Sequence, residues 1–218
     1  MNRGLAVFAS SIAVVSLLCV TVFAGEARKP IPLPDPQMDG GRPLMQVLKD
    51  RSTSRSFSRE KPPLQVLSNL LWAAFGINRP DSGKRTAPSA MNSQEIDIYV
   101  AVADGLYLYD AKAQLLRPIL SEDIRALTGL QPFVSEAPVN LIFVADRSRM
   151  TRAAQEDKDR YSAADTGFIS ENVYLFCASE GLATVVRGSI DRAALAKAMK
   201  LRPDQKIILA QTVGYPKK

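Results

Sequence analysis

Histidine is absent from all 218 residues. That absence excludes Ser-His-Asp and Cys-His hydrolysis and zinc sites built on imidazole. Cysteine is nearly absent as well, with only Cys19 and Cys177. No G-x-G-x-x-G and no G-x-S-x-G occurs. Gly83-Lys84-Arg85-Thr86 has the look of a phosphate loop, but Asn78 stands where its first glycine belongs and Arg85 where Ser or Thr should follow the lysine. No internal repeat runs through the chain. Whatever chemistry occurs here must come from other side chains, the backbone or a bound cofactor.

What is present is an ordinary globular composition, 46% hydrophobic and 23% charged, enough for one domain. Lys+Arg is 28 against Asp+Glu 22, a net charge of +6. An excess of that size suits an anionic small ligand or surface, and no nucleic-acid partner is expected from it. Residues 5–24 are free of charge and follow Arg3. A short basic start, an apolar middle and small residues at Val22-Phe23-Ala24 read as a secretory signal peptide cut after Ala24, with Gly25-Glu26-Ala27 as a second cleavage option. The same stretch is long enough to remain as a membrane anchor. Cleavage leaves Cys177 alone, so no intramolecular disulfide forms. Asn2-Arg3-Gly4 lacks the paired arginines of a folded-export signal. A periplasmic or secreted protein is expected, with contact to the membrane only if the leader is retained.

Residues 25–42 carry Pro30, Pro32, Pro34 and Pro36, then Gly40 and Gly41, and read as an extended arm or linker. From Pro43 to the end, residues 43–218, the pattern is that of a packed domain. Leu44, Val47 and Leu48 predict a helix to Lys49, and Leu64, Leu67, Leu71, Ala74 and Phe75 a second one that stops at Gly76. Residues 78–94 read as a long loop. Ile96, Ile98 and Val100 alternate as a strand would, and Asp104-Gly105 is a hairpin signal before Leu106-Tyr107-Leu108-Tyr109. A short helix over 121–128, a strand over 139–144, a charged helix or lid over 147–160 and a long helix over 162–180 follow. A strand over 183–186, a helix over 191–200 and a strand over 207–210 complete the series. Mixed elements with a central hairpin predict an α+β layered fold.

Three stretches carry the chemistry. Arg51-Ser52-Thr53-Ser54-Arg55-Ser56 follows the first helix with two guanidiniums four apart and hydroxyls between them. Arginine grips phosphate oxygens bidentately and hydroxyls fill the remaining acceptor sites, although a polar surface turn has the same composition. Ala87-Pro88-Ser89-Ala90-Met91-Asn92-Ser93-Gln94 is rich in small residues, so a planar ligand could approach its backbone. Gly181-Leu182-Ala183-Thr184-Val185-Val186-Arg187-Gly188 combines a helix stop, a strand and a glycine whose N–H could face a ligand. Cys177, in an apolar helix without cationic neighbours, reads as a core residue. Glu156, Asp157 and Asp159, interleaved with Lys158 and Arg160, read as ion pairs on a solvated face.

In this order and at roughly this spacing, the three stretches resemble the FMN-dependent nitroreductase family. The likeness covers about residues 43–218. In the family a basic-hydroxyl segment binds the FMN phosphate, and Arg51, Ser52, Thr53 and Arg55 match it. Ser52 stands where Arg or His is common, one cation fewer. A P-S-x-x-N-x-Q segment lies against the flavin, matched by Pro88, Ser89, Ala90, Met91, Asn92 and Gln94. Asn172, Gly181-Leu182 and Arg187-Gly188 match the later segment, where a backbone amide faces flavin N5. Gly214-Tyr215-Pro216 is followed in the family by a basic residue reaching the phosphate, here Lys217 or Lys218. Lys84-Arg85-x-x-Pro88-Ser89-Ala90 with Asp104-Gly105-Leu106-Tyr107-Leu108-Tyr109-Asp110 resembles the SagB-type, azoline-oxidase-like branch.

The resemblance implies a mixed central sheet flanked by helices, with the long helix buried at the core of a homodimer. It also implies FMN at the subunit interface and no metal. Two-electron, ping-pong hydride transfer through the flavin to or from a nitro-, quinone- or azoline-type substrate is the implied activity. NAD(P)H, the usual family donor, is scarce outside the cytoplasm. A non-catalytic exported module that binds FMN or another anion is the competing expectation.

Overall fold

The computed structural model describes Met1 and residues 28–217; the leader, its cleavage sites and the alternative of a retained anchor lie outside the described residues, as does Lys218. In chain order the elements are β1 (Ile31–Pro32), α1 (Leu44–Asp50), α2 (Leu64–Phe75), β2 (Ile77–Arg79), β3 (Lys84–Arg85), β4 (Ile96–Val102), β5 (Gly105–Asp110), β6 (Leu115–Leu120), β7 (Val139–Asp146), α3 (Lys158–Glu180), β8 (Ala183–Arg187), α4 (Arg192–Ala198) and β9 (Gln205–Gly214). Among the described residues no helix is long and apolar enough to cross a membrane.

Seven strands join in the order β1-β6-β5-β4-β7-β9-β8. Val139 to Ala145 of β7 are all buried, because β7 lies mid-sheet with both faces covered. Leu141 and Phe143 point into a core with Leu70, Leu71 and Phe75 of α2 and Ile169 and Val173 of α3. Ile142 and Val144 point the other way, against Leu195 of α4, Met199 and Ile124. β4 divides likewise, with Ile96, Ile98 and Val100 on the α2–α3 side and Tyr99 and Ala101 opposite. The fold is therefore α+β and layered, helix–sheet–helix.

Every pairing in the sheet is antiparallel, which corrects the expected mixed sheet. The crossover through α3 does return the chain in the direction of β7. However, β9 inserts between β7 and β8 and runs against both, so no parallel neighbours result. β6 was not foreseen, because Pro118 interrupts its sequence pattern. The proline is tolerated because β1 pairs only with Leu115 and Leu116, so from Pro118 on β6 is an open edge. The proline-rich arm contributes that edge strand and buries Leu33 in the main core.

Other boundaries also shift. The long loop contains the antiparallel ribbon β2–β3. The short helix expected over 121–128 is only a 3-10 turn, Arg125–Thr128. The expected charged lid shrinks to the turn Arg147–Arg149, and α3 begins already at Lys158. That helix ends at Gly181, whose left-handed φ of 69° closes it and lets Leu182 N–H reach Cys177 O at 2.8 Å. The buried face of α3 is less apolar than its length suggests: Ser162, Asp165, Thr166 and Ser170 lie on it beside Ile169, Val173 and Cys177.

Candidate functional site

Arg51 ends α1, its N–H donating to Val47 O at 2.8 Å. The chain then runs extended along β8: Ser54 N–H donates to Thr184 O at 3.0 Å, and Phe57 bridges Pro216. Tyr174 of α3 anchors this run. Its hydroxyl lies 3.1 Å from Thr53 Oγ1 and accepts Val186 N–H at 3.0 Å, while the Arg51 guanidinium sits over its ring, 5.4 Å from the centroid. Ser52 lines a cavity of about 200 Å³ with Tyr174, Gly181 and Thr184. Lys217 N–H donates to Ser56 O at 3.3 Å, which draws the C-terminal strand end to the same place. Arg51, Ser52, Thr53, Arg55 and Lys217 are thus gathered on one rim beside β8. Among the described residues neither Arg51 nor Arg55 has a carboxylate or carbonyl partner for its guanidinium, and Arg55 is exposed. Gly188 follows β8 at its far end, four residues beyond Thr184 and exposed.

The Pro88–Gln94 segment forms a second half-site. Asn92 N–H returns to Ser89 O at 3.0 Å, and Gln94 N–H to Ser89 Oγ at 3.0 Å. Met91, Asn92 and Gln94 take left-handed φ values of 54°, 53° and 47°. Three such residues in four are strained for side chains with a Cβ and persist only where neighbours impose them. Those neighbours are identifiable. Asp165 Oδ2 accepts Ala90 N–H at 2.8 Å, Arg85 Nε donates to Gln94 Oε1 at 2.8 Å, and Arg152 donates to Met91 O. Pro88, Met91 and Asn92 remain exposed, with Ser89 and Ala90 half-buried.

The two groups do not meet along α3. Their anchors, Asp165 and Tyr174, are nine residues apart, two and a half turns, which is about 13 Å of rise and opposite sides of the helix.

The Arg187 side chain joins neither group, while its backbone stays beside Gly188 at the end of β8. Its guanidinium is buried and donates to Thr128 O at 2.7 Å, Asn140 Oδ1 at 3.0 Å and Thr212 Oγ1 at 3.1 Å. Among the described residues no carboxylate balances it, and burial pulls its pKa down to about 10. Strand alternation turns Arg187 to the face opposite Thr184, where it clamps the turn at Thr128 onto the sheet. Cys177 is fully buried and burial pushes its thiol up, as fits a core residue. Asp157 pairs with Arg160 and Asp159 with Lys206, both at 2.7 Å, and no metal-binding group exists among the described residues.

Three residues of this architecture escaped notice in the sequence: Tyr174, Asp165 and Glu95. Stepping back by three and four residues from Ile169 and Val173 places Asp165, Thr166 and Ser170 on the buried face. Nothing in the sequence distinguishes Glu95 from the charges around it.

Comparison with known proteins gives the same class. The profile of the nitroreductase family matches residues 48–215, and the chain belongs to that family. A Methanocaldococcus jannaschii protein provisionally named a nitroreductase is 32% identical over 169 residues, 73% of this chain and 85% of the relative. A Ralstonia eutropha crystal structure with the same provisional name is 44% identical, covers 89% of this chain and 92% of its own, and superposes with a TM-score of 0.84. A Desulfovibrio desulfuricans structure, described as a complex with FMN, shares the fold at TM-score 0.59 and 23% identity, covering 81% and 88% of the two chains.

Proposed function

We propose that the protein is an FMN-dependent oxidoreductase that works as a homodimer. The observation that carries this reading is the rim of uncommitted donors, Arg51 and Arg55 with Ser52 and Thr53, held rigidly by Tyr174. Two cations without carboxylate partners beside small hydroxyls are the donor set a phosphate monoester needs. The FMN in the Desulfovibrio relative supports the same ligand. Lys217 adds a cation near the same rim, and Gly188 lies further along β8, in reach of a ring extending from that phosphate.

Dimerisation is supported by the separation of the half-sites: a second copy would bring its Pro88–Asn92 segment to the first copy's Arg51 rim. Leu44, Met45 and Leu48 of α1 and Phe168 of α3 are exposed, next to Ala163, Ala164 and Gly167, which is an apolar face suited to a partner.

When bound, FMN supplies two-electron hydride chemistry, in a ping-pong order in which the donor leaves before the acceptor enters. The chain's own residues bind and orient. Arg51 and Arg55 hold the phosphate, Ser52 and Thr53 complete its acceptor sites, and the small Ser89 and Ala90 allow a planar ring to approach the backbone. The nitro, quinone or azoline nature of the acceptor follows the family. Arg85, bonded to Gln94, links the Lys84-Arg85 signature to the ring-facing segment and favours the azoline-oxidase-like branch. The pattern of residues 1–24 supports export to the periplasm, which makes a donor other than NAD(P)H part of the proposal.

The test is spectroscopic. Protein purified from the periplasmic fraction is expected to carry a flavin absorbance band that a reductant bleaches and a quinone or nitroaromatic restores. A colourless protein that takes up no FMN overturns the proposal. A band that no reductant bleaches would leave an FMN-binding module without turnover.

A further inference from the structure

Glu95 sits between the Pro88–Gln94 segment and β4, fully buried, with neither carboxyl oxygen receiving a hydrogen bond from a nitrogen or hydroxyl among the described residues. An ionised carboxylate in that position would lose its water, and the desolvation outweighs the attraction of the nearby Arg149 charge. Its carboxyl lies beside that of Asp165, which is itself buried and whose Oδ2 accepts Ala90 N–H. Two carboxyl groups can share a hydrogen bond only if a proton lies between them.

Among the described residues no cation pairs directly with the Glu95 carboxyl. Arg149 is nearest, and it is committed to Asp97 at 2.8 Å and to the backbone carbonyl of Glu95 at 2.7 Å, with Asp146 at 3.8 Å. Arg85 donates to Gln94 Oε1 and Phe75 O, Arg152 to Met91 O, and Lys158 to Arg147 O.

We propose that Glu95 and Asp165 share one buried proton, and that this pair is the positioning device for the left-handed Pro88–Gln94 segment. With the proton present, Glu95 donates to Asp165, and Asp165 keeps Oδ2 for the Ala90 N–H. With the proton removed, two adjacent buried anions repel, and the side chain that holds Ala90 is pushed off its place. The link to flavin rests on the function proposed above; the shared proton does not.

Burial pushes Glu95 up to about 7 and raises Asp165 in the same direction. The sign follows. A carboxyl whose folded value exceeds its ordinary 4.5 binds its proton more tightly in the folded chain, so the stabilisation is complete below about 4.5 and is lost as pH rises through about 7.

The experiment uses the full chain with and without FMN. Thermal midpoints are measured from pH 5 to pH 8.5 for the native protein and for Glu95→Gln, in which an amide replaces the proton donor without titrating. The native midpoint is expected to fall by several degrees toward pH 8.5, and that fall to be absent in Glu95→Gln. Superimposable profiles overturn the proposal. Should Glu95→Gln not fold, infrared spectroscopy of the native protein decides: a protonated-carboxyl C=O band that persists at pH 6 and disappears by pH 8.5 supports the pair, and its absence at pH 6 refutes it. FMN affinity, expected to weaken about tenfold over the same range in the native protein only, reports separately on the link to the flavin. A flat affinity with a sloping melting profile would keep the shared proton and remove its role in positioning the ligand segment.

Discussion

Tyr174→Phe removes one oxygen from the point where the Arg51–Arg55 segment, α3 and β8 are joined. The ring remains, so the Arg51 guanidinium keeps its stacking surface. Two hydrogen bonds are lost, one to Thr53 Oγ1 and one from Val186 N–H. The first, near the surface, contributes about 0.5–1.5 kcal/mol; leaving the second donor unpaired costs about 1–3 kcal/mol. A combined loss of about 2–4 kcal/mol corresponds to a fall in Tm of roughly 4–16 °C for a chain of this size. Freed from its tether, the segment should also hold FMN about tenfold less tightly, or ~1.4 kcal/mol. Differential scanning fluorimetry and FMN titration read the two effects, and Thr53→Val completes a double-mutant cycle. Non-additive loss is expected, because both substitutions break the same bond. A Tm within 1 °C of native for Tyr174→Phe, a margin well inside the roughly 4 °C minimum worked above, would refute the assignment of Tyr174 as the anchor.

Gly129→Ala would place a Cβ 1.9 Å from Arg187 Nη1 on a backbone that tolerates alanine (φ 179°), so the buried guanidinium must leave its three acceptors. Urea unfolding should show a loss of about 3–5 kcal/mol, much reduced in an Arg187→Met background. Leu33→Ala should cost about 2–4 kcal/mol in the same assay, since Leu33 is part of the main core; a neutral result would make the arm a mere tether. Cys177 should resist a thiol-specific reagent in the native protein and react fully in denaturant, as peptide mapping would show.

The apolar pattern carried most of the fold. The alternation of Ile96, Ile98 and Val100 announced β4, and the run from Val139 to Val144 announced a strand, whose burial on both faces only the structure shows. What stayed hidden depends on partners distant in sequence. Pro118 argued against β6 until β1 proved too short to need its N–H. Strand order is equally illegible locally, and only the insertion of β9 between β7 and β8 makes the sheet antiparallel throughout. At the candidate site, residue types singled out the Arg51–Arg55 and Pro88–Asn92 segments as candidates. They gave no sign of what the Arg187 side chain does, because only strand alternation turns it inward to Asn140 and Thr212. Glu95 and Asp165 were missed because their meaning is a matter of burial, which no single position in the sequence discloses.

The most direct measurement compares FMN with riboflavin, which lacks the phosphate, by titration of flavin-free protein. Two charge-assisted contacts at roughly 1.5–3 kcal/mol each predict at least a hundredfold preference for FMN, lost in the Arg51→Ala, Arg55→Ala double variant while riboflavin affinity stays unchanged. Equal affinity of the native protein for the two flavins would contradict the phosphate rim on which the functional proposal stands.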